Sequence, residues 1–333
     1  MGKTSAQIWW KYVPSSRKQV KSTMEKLLSD GMSVLLNANI QPWFDQFKAD
    51  LLECIDKYGE GIEVRHVNGS DLGGGFTLLD DVVSYLDIES GYNGKLASVK
   101  DKLPEQGLIL WMSNLSDEQE NGCRKLAEEA YKLRGAAHAH ALMLIFESRM
   151  TKKTKNLHIV ETGPLVKEDI NYFAYRVLME NEYKGPMDYA VALAMELSGG
   201  DIEQCAKYCE DIVSLGLQNP LMIAGDESAD SKYAVHRAQM RSLEPLIQLC
   251  RIQIIKDKES AIKKILPFED DYKYVLKEPC ELELRHLWHY QTNLSFSREE
   301  FLKLKLLYDA RNDLSHQHLL EYDTIQELIK LNR

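Results

Sequence analysis

Near the carboxyl end, the segment LYDARNDLSHQHLLEY (307–322) sets Arg311, Asn312 and His316 within six residues. An imidazole exchanges protons near neutrality, its ordinary pKa being about 6.5. A guanidinium stays charged and can grip two oxygens of one phosphate. The pair suits metal-independent cleavage of RNA. The imidazole takes the proton of the 2′-hydroxyl as it attacks the adjacent phosphate, and the guanidinium stabilises the negative charge that builds there. In that chemistry His316 is base or acid, Arg311 is the electrostatic stabiliser, and Asn312 orients the phosphate or the imidazole. No metal and no cofactor is called for. A plainer reading has Arg311 pairing with Asp309 or Asp313 on the surface and His316 capping a helix.

Spacing sets a condition on the first reading. Five residues of regular helix turn through roughly 500°, leaving the two side chains about 140° apart. They share a face only if the helix ends between them. Asp313 and Ser315 are residue types that favour such a break, and HQHLLEY reads as a turn before a last helix with Thr324 and Glu327 as its capping box.

Four other groupings invite chemistry. His138 and His140 have the two-residue spacing of one strand face, but no third acid or thiol accompanies them locally, so packing or rim positions are the simpler reading. Cys205 and Cys209 fall in a helical stretch with no second cysteine pair, which points to burial. Gly2, Lys3 and Thr4 imitate the end of a phosphate-binding loop with no strand before them. GSDLGGGF (69–76) has four glycines and no lysine after them, and reads as a flexible loop.

The elements that must position these residues come in two styles. After a helix at 15–30, short apolar runs alternate with amphipathic helical patterns: SVLLNA (33–38), FKADLLECIDKYG (47–59), IEVRHV (62–67), FTLLDDVVSYLD (76–87), GLILWMSN (107–114), EQENGCRKLAEEAYKLRG (118–135), ALMLIFESR (141–149) and LHIVET (157–162). That alternation predicts βα units around a mostly parallel, buried sheet. Helical periods follow at 169–183, 186–200 and 201–217, then a stretch rich in Gly, Ser, Asp and Pro, then helical periods to the end. The expected domains are an α/β domain at 1–165, a helical lid-like subdomain at 166–217, a linker at 218–232 and an all-α domain at 233–333.

The order of elements over residues 15–217 resembles the layout of P-loop NTPases, with the helices at 169–217 resembling the lid of AAA+ or STAND ATPases. The chemistry of that family is missing. After SVLL the chain runs NANIQPWFDQFKAD, without the glycines or the Lys-Ser/Thr pair that cradle phosphates, and Ser113 and Asn114 stand where a metal-holding carboxylate is expected. Glu147 ends the next strand alone, so NTP hydrolysis is not expected. Arg311-Asn312-x-x-x-His316 in a helical terminal domain of about a hundred residues resembles the Arg-x-x-x-x-His motif of HEPN domains. That resemblance implies Arg311, Asn312 and His316 as catalytic residues, single-stranded RNA as substrate, a homodimer or a paired HEPN-type partner lining one cleft, and a role as an effector in bacterial antiphage defence. Many HEPN-like domains are scaffolds instead, so a non-enzymatic adaptor within a larger complex stands as the alternative. Trp288, Tyr290 and Tyr308 are candidates to stack on bases or to fill the core.

Charge divides the chain in the same place. The 333 residues carry a net charge of −10. Residues 232–333 hold 17 Lys and Arg against 16 Asp and Glu, leaving 24 against 35 for residues 1–231. Five of the nine histidines, namely His236, His286, His289, His316 and His318, lie in the near-neutral part. A phosphate ligand is expected there, and the acidic first domain is a candidate dock for a protein partner. Six cysteines without a regular framework fit a reducing cytoplasm. Neither a leader segment nor an apolar run of membrane-spanning length is read, so no membrane is expected.

Overall fold

In the computed structural model the chain divides into two compact units, Lys3–Asp169 and Ile170–Arg333 with Met1–Gly2. The structure describes residues 2–37, 41–73, 75–134, 139–148, 156–160, 166–270 and 272–331.

The first unit is built on a five-stranded, all-parallel sheet. Its strands are β1 (Ser33–Leu36), β2 (Glu63–Asn68), β3 (Leu108–Ser113), β4 (Leu142–Glu147) and β5 (Leu157–Val160), in the spatial order β2-β3-β4-β1-β5. Parallel neighbours need crossover connections, and helices that cover both faces make the central strands continuous apolar runs. SVLL, LILWM and LMLIF are buried accordingly, whereas EVRHVN, at an edge, is mostly polar. The register sets Val34 beside Ile145 and Trp111 beside Ile145.

Around the sheet lie α1 (Ser5–Tyr12), α2 (Pro14–Leu28), α3 (Phe44–Tyr58), α4 (Leu78–Tyr85) and α5 (Asp117–Lys132). Three of these starts have a local cause. Thr4 and Gln7 form a capping box for α1, Pro14 takes the first position of α2, and Ser116 with Gln119 caps α5. The Gly2-Lys3-Thr4 imitation of a phosphate loop is thus a helix cap, with the Lys3 ammonium over the Tyr12 ring at 4.6 Å.

The second unit is helical: α6 (Lys167–Glu180, its first turn shared with the boundary), α7 (Met187–Ser198), α8 (Ile202–Leu215), α9 (Pro220–Ala224), α10 (Ala229–Asp257), α11 (Glu259–Ile265), α12 (Leu284–His289), α13 (Arg298–Ser315) and α14 (Tyr322–Lys330). A two-strand hairpin, β6 (Phe268–Glu269) with β7 (Val275–Leu276), interrupts them. Eight of the twelve residues of α7 are buried, because α8 and α10 both pack against it. The lid-like helices therefore lie in one compact unit with the terminal helices.

Two expectations differ from what is seen. Residues 218–232, read as a linker, hold α9 and the start of α10. Their turn-forming residues are helix caps, with Asn219 and Pro220 starting α9, Gly225 ending it and Ser228 starting α10. The last helix begins at Tyr322, ahead of the expected Thr324 cap, and its N-cap residue, Glu321, makes no side-chain capping bond.

Candidate functional site

Ligands of open α/β sheets bind beyond the carboxyl ends of the strands, where connections leave neighbouring strands in opposite directions. Here that point lies between β1 and β4, because β1 connects towards β2 at one edge and β4 towards β5 at the other. Among the described residues, several side chains at and after these strand ends bond to one another or to the backbone. The Trp10 indole, packed on Phe47 at 4.8 Å, donates to the carbonyl of Pro42 at 2.9 Å. The Gln41 amide donates to Val160 at the end of β5 at 2.8 Å. Glu147 accepts from the Trp111 indole at 2.8 Å and pairs with Lys48 at 3.3 Å, while Lys48 also reaches Asp45 at 3.2 Å. Burial works against the charge on Lys48, yet the two carboxylates outweigh it and hold its pKa above the ordinary value. Lys48 is thus engaged by two acids.

The other candidates resolve simply. Gly69 sits where an added Cβ would lie 2.4 Å from the Asn114 carbonyl, so that glycine serves a close backbone approach. Gly75 donates its N–H to Asp81 at 2.8 Å, and Gly74 lies outside the described residues. His138 also lies outside them, and His140 bonds the Leu103 carbonyl through Nδ1 at 2.8 Å. Cys205 and Cys209 are buried in α8, the Cys209 thiol pushed up by its hydrogen bond with Cys205 and by burial. Among the described residues no group of three or more His, Cys, Asp or Glu could hold a metal ion.

The helical unit differs. Tyr308, Arg311 and Asn312 share a face of α13 at positions i, i+3 and i+4 and line a cavity of about 280 Å³. Its facing wall brings Arg251 from α10 and Arg285 from α12. Neither arginine was singled out by the sequence reading, since each sits inside a helical period and the cavity joins segments tens of residues apart. Arg311 is exposed, and its guanidinium makes no hydrogen bond, ion pair or ring contact among the described residues. It pairs with neither Asp309 nor Asp313.

His316 is held differently. The helix does not break between Arg311 and His316. It runs regularly to Ser315, and His316 is the C-cap, its N–H bonded to the Asn312 and Asp313 carbonyls. The two side chains therefore keep the half-turn separation of the regular helix, and His316, exposed, lies outside the cavity lining. Its ring is 6.2 Å from that of His318, which contacts Asp313 at 3.4 Å. The end of α13 is fixed from α10: His236 Nε2 bonds the Leu314 carbonyl at 2.7 Å, and the fully buried Gln239 amide donates to the Leu320 carbonyl at 3.0 Å and accepts its N–H at 2.9 Å. Trp288 stacks on Tyr308 at 5.1 Å and on Phe301 at 5.5 Å, and Tyr290 packs on Phe268 at 4.6 Å.

No family model matches the chain, and no curated protein matches it. Among solved structures, the chain is similar to a RuvB variant of Thermotoga maritima, with 11% identity over 91% of each chain and a TM-score of 0.36. It is also similar to Cdc6p from Pyrobaculum aerophilum, with 15% identity, 97% of this chain and 96% of that one covered and a TM-score of 0.35. A Walker-type ATPase of Pyrococcus abyssi gives 14% identity over 88% of each chain and 0.34. Identities and scores this low assign neither function nor site. Among the described residues no helix is long and apolar enough to cross a membrane.

Proposed function

We propose that the chain is a metal-independent endoribonuclease of the HEPN type, with its first unit a P-loop-NTPase-like module that has lost hydrolysis and serves in sensing or assembly. The observation that carries the reading is the uncompensated Arg311 guanidinium beside Asn312 at a polar cavity, five residues before an exposed His316. Removal of the 2′-hydroxyl proton by His316 lets that oxygen attack the phosphorus. The bond to the 5′-oxygen then breaks, that oxygen takes a proton, and a 2′,3′-cyclic phosphate is left. Arg311 stabilises the phosphate's added charge.

The half-turn between the two side chains means that one chain does not present both to one phosphate. The active form is therefore a pair of chains, with Arg311 of one and His316 of the other at each phosphodiester. The strand order and the crossover at β1 and β4 support the NTPase-like reading of the first unit, and the missing phosphate-loop residues with Lys48 paired to Glu147 and Asp45 support loss of hydrolysis. The test is incubation of labelled single-stranded RNA with the full chain and EDTA. Wild type is expected to cut, and Arg311→Ala and His316→Ala are each expected to reduce cutting by about a hundredfold or more. Equal cutting by all three overturns the assignment.

The adaptor reading, with both units as docking surfaces, is favoured by the acidic charge of the first unit and its missing phosphate-loop residues. Binding of a partner by a chain that cuts no RNA would establish it.

A further inference from the structure

The cavity beside Arg311 has a charge inventory that suits a particular ligand. Of its three arginines, Arg285 is neutralised by Asp270 at 2.9 Å and Glu283 at 3.2 Å. The Glu281 carboxylate accepts the backbone N–H groups of Lys277 at 2.6 Å and Glu278 at 3.0 Å, which hold its pKa below the ordinary value. Arg251 is fixed by neutral partners only, Nε to the Gln248 side chain at 2.8 Å and a terminal nitrogen to the Leu282 carbonyl at 2.6 Å. Arg311 has no partner at all among the described residues. Two guanidinium charges, one rigidly held and one free, thus face a space whose lining carboxylates, Glu281 and Glu283, pair with neither of them among the described residues.

Two further features narrow the class of anion. Tyr308 forms part of the wall and is backed by Trp288 with the rings 6° from parallel, giving a fixed aromatic surface, and Asn312 adds an amide donor and acceptor. At about 280 Å³ the space is at the small end of ligand pockets, which run from about 300 to 1,000 Å³. We propose that the cavity binds a single nucleotide through its phosphate monoester, with Arg251 and Arg311 on the phosphate and Tyr308 against the base. The source is either the phosphorylated end of an RNA or a free mononucleotide. This deepens the ribonuclease reading in one respect: the guanidinium that stabilises the scissile phosphodiester in the paired chains also binds a terminal phosphate when a nucleotide occupies the cavity, on the face of α13 turned away from its own chain's His316.

The experiment is calorimetric titration of the full chain carrying His316→Ala, which cannot cut. The probes are a short oligouridylate bearing a 5′-phosphate, the same with a 3′-phosphate, the same with hydroxyls at both ends, and UMP against uridine. At least one phosphorylated probe is expected to bind about tenfold or more tightly than its unphosphorylated counterpart, charge-assisted bonds being the stronger ones. Added Arg251→Gln or Arg311→Gln is expected to erase that preference. A phosphorylated oligonucleotide preferred over UMP identifies an RNA end, and equal binding identifies the free nucleotide. Should Arg251→Gln fail to fold through loss of its Leu282 contact, Arg311→Gln, which breaks no internal bond, decides the matter. No preference for phosphate, or a preference that survives both substitutions, overturns the proposal. An intact preference in a protein whose wild type cuts no RNA instead overturns the ribonuclease and leaves the cavity site standing.

Discussion

The strand ends of the first unit and the end of α13 are both places where a phosphate would be sought, and they differ in whether their polar groups are already spent. At the strand ends Lys48, Glu147, the Gln41 amide nitrogen and the Trp10 and Trp111 indoles bond to one another or to the backbone, and only the Gln41 oxygen among these groups is buried without a partner. At α13 the scaffold groups, His236 and Gln239, are satisfied just as fully, but Arg311 and the ring of His316 are left without a hydrogen bond or ion pair among the described residues. A buried polar group without a partner is costly, so a closed site stabilises the fold. Charge left uncompensated at a cavity contributes nothing to the fold and marks where a ligand would complete it.

Truncating the buried Trp10, which packs on Phe47 and bonds Pro42, gives the largest stability effect. Trp10 is 1% exposed, so Trp10→Ala is expected to cost about 3–5 kcal/mol in denaturant unfolding of the first unit. No Mg·ATP binding is expected to appear in its place. A variant that keeps its stability and binds ATP would show a masked nucleotide site and dissolve the contrast. Gln239→Leu, at the base of α13, strands the Leu320 N–H and carbonyl in the interior and is expected to cost about 2–4 kcal/mol. Stability unchanged by that substitution would mean that the clamp does not hold the end of the helix.

How far the sequence carried these two regions depends on the range of the interactions. Strands β1, β3 and β4 are legible because burial on both faces leaves them as unbroken apolar runs, and the parallel α/β class follows from their alternation with helices. The strand order is set by packing between distant segments and has no local trace. The density of turn formers at 218–232 misleads because Asn219, Pro220, Gly225 and Ser228 punctuate helices rather than separate domains. Helix α1 escaped the reading although Thr4 and Gln7 carry its capping box in plain view. At the site, Arg311, Asn312 and His316 are contiguous enough to be noticed, whereas Arg251 and Arg285 reach the same cavity only through the fold. The expected break between Arg311 and His316 fails because the helix continues with regular hydrogen bonds to its C-cap.

The smallest effect concerns the wall behind the cavity. His286 accepts the Glu283 N–H through Nδ1, and its Nε2 is buried without a hydrogen bond, 3.6 Å from Asp270. Burial, with the charge of Arg285, pushes its pKa down. A base whose pKa is lower folded than unfolded binds its proton first in the unfolded chain, so stability falls as pH drops below the unfolded value of about 6.5. Burial also opposes the Asp270 charge, but the backbone N–H groups of Tyr274 and Tyr272 and the charges of Arg285 and His286 outweigh it and lower its pKa. Its contribution, present above the unfolded value of about 4, is lost at still lower pH. His286→Gln keeps an acceptor at the cap and removes the titration. Urea midpoints measured between pH 7 and pH 5 are expected to lose part of their slope in this variant, and an unchanged slope would assign the pH dependence elsewhere.

The most direct test of the central claim uses the two site variants together. Arg311→Ala and His316→Ala chains are each expected to be inactive on single-stranded RNA in EDTA. Mixed and allowed to reassociate, they are expected to recover a measurable part of the wild-type rate, because one composite site then holds Arg311 from one chain and His316 from the other. Variants that cut as wild type does, or a wild type that does not cut, would contradict the account.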